Sequence, residues 1–277
     1  MNILEEIIAY KKTEVDRAKE KLPLDKLKKL ITIEAGCKPA YAKRNFHRAI
    51  KNKIDKKEIA LIAEVKKASP SKGIIRKNFN HIEIAKAYEH GGATCLSVLT
   101  DEKYFQGNLR YIQEIKKVVD LPILRKDFII DPYQIYESIY NQADCILLIV
   151  AGVAQPRLLR DLYEIACENE IDVLIEVHDE REIEIALDVG GGVVQPYLLG
   201  INNRNLKTFE TNLNTTKNLI KKYKKDLNGK IIVSESGIFT NNDIKSLTEH
   251  NVYAFLVGES LMREDDVENA VRQLLCF

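Results

Sequence analysis

Residues 59–73 read IALIAEVKKASPSKG. An apolar run opens the stretch and charge closes it. In an extended backbone side chains alternate between two faces, so Ala60, Ile62, Glu64 and Lys66 share one of them. A carboxylate and an ammonium therefore leave the same face where the apolar run stops. Burying either group unpaired is costly, so a purely structural strand would rarely end this way; a solvated surface ion pair is the plain alternative. The run is apolar on both faces, as a strand of a parallel sheet must be when helices cover it.

The same design recurs along the chain. Candidate strands begin near Ile59, Ala93, Pro122, Asp144, Ile171, Tyr197, Lys230 and Tyr253, with cores such as ATCLSVL, CILLIV, DVLIEV, KIIVSE and YAFLVG. Helical patterns separate them. HIEIAKAYEHGG ends on a glycine stop, and PRLLRDLYEIACENE places apolar residues at helix spacing. NDIKSLTEH and DDVENAVRQLL carry acids in their first turns, where the helix dipole favours them. Eight strand-then-helix units within residues 59–277 predict a (β/α)8 TIM barrel. A doubly wound sheet is the alternative, but no G-x-G-x-x-G follows the first strand. The units are not copies of one repeat, which argues against a solenoid.

Residues 1–58 precede the first strand and read as an N-terminal helical extension packed on the barrel, with residues 59–277 as the catalytic domain. Leu4, Ile7 and Ile8 start one apolar stripe; Leu24, Leu27, Leu30 and Ile31 make another after Pro23. Lys38 to Lys57 holds eight Lys or Arg against a single acid, Asp55. A solvated basic face suits this better than a nucleic-acid site. Lys217 to Lys225, with five lysines, reads as an exposed helix face, and Gly190 to Pro196 as a loop variation at the stable end of the barrel.

A length of 277 residues, 45% hydrophobic and 30% charged, fits one soluble barrel. A net charge of +1 gives no general reason to expect nucleic acid or an anionic membrane as partner. The five cysteines form no C-x-x-C pair, so reduced thiols are expected rather than a disulfide frame or zinc site. Glu5, Glu6, Lys11 and Lys12 interrupt any signal-peptide core, and the longest apolar run, Cys145 to Ala154, is too short to span a bilayer. A cytoplasmic location follows as the expectation.

Barrel enzymes keep their chemistry at the C-terminal ends of the strands. Those ends supply Glu64 and Lys66, then Lys126, then Glu176, then Gly200, Asn202 and Arg204, then Glu235, Ser236 and Gly237, and last Gly258. Three cations (Lys66, Lys126, Arg204) face three anions (Glu64, Glu176, Glu235), an arrangement able to shift pKa values for acid–base work. The second and fourth strands end without charge. With Phe105 and Phe128 in neighbouring loops, that side offers an apolar wall for a flat aromatic group, although both rings could equally belong to minor clusters. Ser236-Gly237 and Gly258-Glu259-Ser260 follow the last two strands, the usual barrel phosphate position, with Ser69 and Lys66 able to complete it. Glu259 must turn away from a bound dianion there.

IAEVKKASPSKG, LTDEKYFQG, LPILRKDFIIDPYQI, LIEVHD, GINNRNL, SESGI and FLVGESLMR together resemble the motifs of the indole-3-glycerol-phosphate synthase family, in order and over the whole chain. The resemblance implies a lyase of tryptophan biosynthesis acting on 1-(2-carboxyphenylamino)-1-deoxy-ribulose 5-phosphate, with no metal and no organic cofactor. It implies catalytic roles for Glu64, Lys66, Lys126, Glu176 and Asn202, substrate contacts from Ser69, Phe105, Phe128, Arg204 and Glu235, and a phosphate site at Ser236, Gly237, Gly258 and Ser260. Lys126 matches the acid, its pKa expected to be lowered; the base is either Glu176 or Glu64. The implied partner is this small phosphosugar–anthranilate substrate, without nucleic acid or membrane. Oligomeric state, a monomer being one option, and association with other tryptophan-pathway enzymes are left open. Family members carry a similar extension beside the active-site mouth. Arg125 and Asn205 depart from the usual pattern; Arg125 should point out of the lumen, and Asn205 should weaken a supporting salt bridge. A phosphoribosylanthranilate isomerase, a ribulose-phosphate epimerase or a non-catalytic scaffold barrel are the competing readings.

Overall fold

A computed structural model describes residues 2–37, 43–153, 155–189, 195–205 and 208–276. Eight parallel strands close into a barrel: β1 (Ala60–Val65), β2 (Cys95–Leu99), β3 (Ile123–Lys126), β4 (Cys145–Ile149), β5 (Asp172–Val177), β6 (Leu198–Asn202), β7 (Ile231–Glu235) and β8 (Ala254–Val257). Each begins within two residues of its sequence-predicted start. Sequential strands are neighbours, and β1 closes the ring against β8. Most of the loop variation expected before β6, residues 190–194, lies outside the described residues, as do residues 38–42 of the basic stretch.

The strand period decides where each side chain goes. Ala60 and Ile62 pack inside the lumen with Cys95, Leu124, Cys145, Leu147, Leu174, Leu198, Val233 and Leu256. Leu61, Ala63 and Val65 face outward into the larger layer between sheet and helices. Arg125 obeys the same alternation: it leaves the lumen and ties to Asp127, Glu137 and Ser138. Local chemistry sets the helix ends. The helix His81–Gly91 starts on Asn80, whose side chain accepts two backbone N–H groups, and stops at Gly92, whose φ of 98° is open chiefly to glycine. Thr240 and Asp243 cap the helix Asn241–Thr248 reciprocally. Among the described residues no helix is long and apolar enough to cross a membrane.

The segment before β1 forms three helices, α1 (Ile3–Lys21), α2 (Leu24–Cys37) and α3 (Phe46–Ile54). They do not all gather at the mouth. α1 lies across the C-terminal rim, where Ile3, Leu4 and Ile7 line the cleft. α3 sits at the opposite pole, with Phe46 and Ile50 fully buried among the lumen side chains. Asp144 and Asp172, at the starts of β4 and β5, accept the backbone N–H groups of Arg44 and His47 and so fix this plug. The expectation of an extension bordering the mouth therefore holds for α1 but not for α3, because a closed barrel leaves apolar lumen residues to cover at its base.

Candidate active site

The strand ends surround a cleft of about 1200 Å³, partly open to solvent. Every residue expected at the site lines it: Glu64, Lys66, Ser69, Phe105, Lys126, Phe128, Glu176, Asn202, Arg204, Glu235, Ser236, Gly237, Gly258 and Ser260. Sheet register explains the convergence. Glu176 is level with Gly200 and Ile149, and Asn202 with Glu235. Side chains of the same parity on neighbouring strands thus meet in one layer at the top of the lumen.

Lys126 occupies the centre. Its Nζ donates to Glu176 Oε2 and Glu235 Oε2, each at 2.8 Å. Glu176 also accepts from Asn202 Nδ2 at 3.0 Å. Beside them Lys66 Nζ lies 2.5 Å from Glu64 Oε1. Two glycines leave room for these acids. A Cβ on Gly200 would sit 2.2 Å from Glu235 Oε1, and one on Gly258 would sit 2.5 Å from Glu64 Oε1.

The charge states differ from expectation. Burial pulls the Lys126 ammonium down, but the carboxylates of Glu176, Glu235 and Glu64 outweigh it and raise the pKa well above the ordinary lysine range. The lowering expected from sequence does not occur, because the two carboxylates that touch Lys126 outweigh its burial. Arg204, counted there as the third cation of the cluster, pairs instead with Glu259 at 3.3 Å and donates to the Phe209 carbonyl at 3.0 Å. Of the two acids on Lys126, Glu176 stays far below the usual carboxylate range, since Lys126 and His178 overcome the cost of burial. Glu235 is pushed up to about 8: burial raises it, Lys126 opposes, and the charge on Glu176 adds to the rise. Among the described residues its Oε1 has no hydrogen-bond partner. The layer thus holds a charged lysine, an ionised acid and an acid able to keep a proton at neutral pH, the parts that proton transfer in both directions needs.

The apolar wall is real and braced. Phe105 and Phe128 face each other with centroids 6.0 Å apart, and Leu99 and Ile149 join them in lining the cleft. Asp127 Oδ1 accepts the Phe128 N–H at 2.8 Å. Asp127 is itself gripped by Lys11 at 2.9 Å, Arg125 at 3.0 Å and Thr100 at 2.5 Å. Lys11, buried in α1, also reaches Asp101 at 2.9 Å and Glu14 at 2.6 Å, so one ammonium clamps the mouth helix onto the loops after β2 and β3. These neighbours hold Lys11 charged against its burial.

At the opposite side Ser236 and Gly237 both take left-handed φ values, 66° and 76°, which turn the chain sharply after β7. Asn203 secures the turn through the Glu235 and Ser236 carbonyls. Ser260 spends its hydroxyl on the Ile238 carbonyl at 2.9 Å, so any contact from it to a ligand would use the backbone. Glu259 lines the cleft but is turned to Arg204, Arg263 and Lys72. Among the described residues no cluster of three His, Cys, Asp or Glu could hold a metal ion.

Sequence reasoning missed His178, Lys72, Lys11 and Asp127. His178 was legible in part: it shares the parity of Glu176, and Glu182 follows one helical turn later. Lys11 carried no signal, since its partners lie far along the chain.

A family model described as indole-3-glycerol phosphate synthase matches residues 4–274. Curated proteins of that name are similar to this chain. The one from Alkaliphilus metalliredigens is 44% identical over 98% of this chain and 97% of its own length. That from Geobacillus sp. is 46% identical over 98% and 96%, and that from Priestia megaterium 50% identical over 84% and 88%. Among solved structures, a 3-hexulose-6-phosphate synthase superposes with a TM-score of 0.61 at 13% identity, over 78% of this chain and 98% of the other. The thiamine phosphate pyrophosphorylase from Pyrococcus furiosus gives 0.56 at 14% identity, over 78% and 93%. At such identities these two speak for the barrel alone.

Proposed function

This chain belongs to the indole-3-glycerol phosphate synthase family, and from that premise we propose how its side chains divide the reaction. The activity is a decarboxylating lyase step of tryptophan biosynthesis. It turns 1-(2-carboxyphenylamino)-1-deoxy-ribulose 5-phosphate into indole-3-glycerol phosphate, carbon dioxide and water.

The aryl carbon bearing the carboxylate attacks the ketone carbon, and the ketone oxygen takes a proton. Lys126 is the donor: among the described residues it is the lysine at the centre of the layer. Its high resting pKa keeps it fully protonated, and the proton shared by Glu235 limits the negative charge that would otherwise hold the ammonium back. Lys66 takes the substrate carboxylate, exchanging part of its pairing with Glu64. Breaking the C–CO2 bond returns the electron pair to the ring and restores aromaticity. The new hydroxyl then leaves as water, with Glu64 assisting, while Glu176 removes a proton from the carbon next to nitrogen. Asn202 holds Glu176, and Glu235 positions Lys126. The aryl ring rests on Phe105 and Phe128, and the phosphate on the backbone of Ser236, Gly237, Gly258 and Ser260, with Ser69 and Arg204 at its edge. Orientation of the two reacting carbons supplies much of the rate.

The observation that carries this reading is Lys126 bonded to both Glu176 and Glu235 beside the Lys66–Glu64 pair, under one apolar wall. Residues 1–58 serve the same domain rather than a second one. The chain works in the cytoplasm, without nucleic acid, membrane or cofactor. The chain has no tryptophan, so indole fluorescence appearing on incubation with the substrate reads turnover directly. Wild type gives that signal and Glu176→Gln loses nearly all of it. An undiminished rate in Glu176→Gln would move the base role to Glu64, and no signal from wild type would end the assignment.

A further inference from the structure

His178 follows β5 by one residue and shares the parity of Glu176, so its ring also turns toward the mouth. Glu182, in the first turn of the next helix (Glu180–Val189), fixes it there. Glu182 Oε2 accepts the His178 backbone N–H at 2.8 Å and faces ring Nδ1 at 3.0 Å. A carboxylate only accepts, so Nδ1 carries a hydrogen. That leaves Nε2, buried and without a hydrogen-bond partner among the described residues, 3.3 Å from Glu176 Oε1. The distance suits an ion pair, although the alignment is not that of a hydrogen bond. Glu176 is thus approached from two sides, by Lys126 on Oε2 and by His178 and Asn202 on Oε1.

We propose that His178, oriented by Glu182, is a positioning residue for Glu176, holding that carboxylate ionised and turned toward the substrate from the side opposite Lys126. The proposal rests on the reading of Glu176 as base. Glu176 and Glu235 share Lys126 and compete for one proton. Something must decide which keeps it, and the imidazolium faces only Glu176. The cleft on the far side of His178 is lined by Glu5 of α1, Asp179, Arg204 and Glu210. Glu5, Asp179 and Glu210 favour a charged ring and Arg204 opposes it; Glu182 and Glu176 are the acids in contact. In agreement, the ring is raised to about 10: burial lowers it, and Glu176 and Glu182 overcome burial.

The test is His178→Gln, which keeps a polar side chain and removes the charge. Expected are a fall in kcat of about tenfold with KM little changed, and an acid limb of the kcat profile that moves to higher pH by about one unit. A variant with wild-type kcat and pH profile overturns the proposal. Nitrogen NMR of the imidazole in the full chain gives a readout independent of turnover. His178 should show a doubly protonated ring from pH 6 to 9 in wild type and titrate at lower pH in Glu176→Gln. A ring already neutral at pH 7 overturns the proposal even if Glu176 proves to be the base. If Glu176→Gln turns over normally while the ring is charged in wild type and titrates at lower pH in the variant, the base assignment fails but the pairing of His178 with Glu176 stands. Thermal melts of both variants separate misfolding from these outcomes.

Discussion

The two poles of the barrel are built from the same materials. Each is covered by a helix of the N-terminal segment, and each carries buried acids facing lysine. At the base, Asp144 has both oxygens filled: Lys116 at 2.6 Å and the Arg44 N–H at 2.9 Å on one, the Ile123 N–H at 2.8 Å on the other. Burial raises Asp144 and lowers Lys116, so both partners lean toward neutrality. At the mouth, Lys126 is driven the other way and two acids divide a proton between them. Two buried side-chain atoms turned toward the mouth, His178 Nε2 and Glu235 Oε1, lack a hydrogen-bond partner among the described residues. A satisfied polar network holds a fold together, whereas one left incomplete beside a cavity has capacity for a substrate.

Mutations at the two poles should therefore separate turnover from stability. The largest effect is expected from Lys126→Ala, which should cut turnover by about 100-fold or more while the protein still folds, since positioned acid catalysis is worth at least that. Its counterpart at the base, Lys116→Met, should leave turnover close to wild type and lower the melting temperature. A variant at Lys126 with more than about a tenth of wild-type activity would break the contrast. Next comes Phe46→Ala, which opens a void at the plugged end; urea unfolding should show a loss of about 3–5 kcal/mol with kcat preserved. Gly200→Ala should act at the mouth alone. Its Cβ would overlap Glu235 Oε1 at 2.2 Å, and displacing that acid should lower kcat by roughly tenfold with little change in KM.

The smallest effect concerns pH. The Glu235 pKa is raised to about 8 from the ordinary carboxylate value of 4.5. Its proton is present below that raised value and lost as pH rises through it, adding a second full negative charge on Lys126 and weakening the acid. Wild-type kcat/KM should decline through about pH 8. Glu235→Gln should move that decline upward. An unchanged alkaline limb in the variant would assign it to another group.

Most of the barrel was legible because parallel strands covered on both faces must be short and apolar, and because the glycine stop of HIEIAKAYEHGG and the acids in the first turns of NDIKSLTEH and DDVENAVRQLL mark helix ends in the sequence itself. The site residues were legible through strand parity, which placed Glu64, Lys66, Lys126, Glu176 and Glu235 in one lumen. Three things were not. The sign of the Lys126 shift depends on which neighbours touch it. Arg204 left the central cluster for Glu259, a pairing across 55 residues. Phe46 went to the base rather than the mouth, since the same apolar helix face fits either pole. Asn205 remains in place at the turn after Arg204, accepting the Thr208 N–H.

The most direct test is a crystal structure with an analogue of the substrate whose ketone is reduced to an alcohol and so cannot cyclise. The account places that oxygen within hydrogen-bond distance of Lys126 Nζ, the aryl carboxylate on Lys66, the ring against Phe105 and Phe128, and the phosphate at Ser236 to Gly237 and Gly258. An analogue bound with its alcohol oxygen away from Lys126, or outside the mouth altogether, would contradict it.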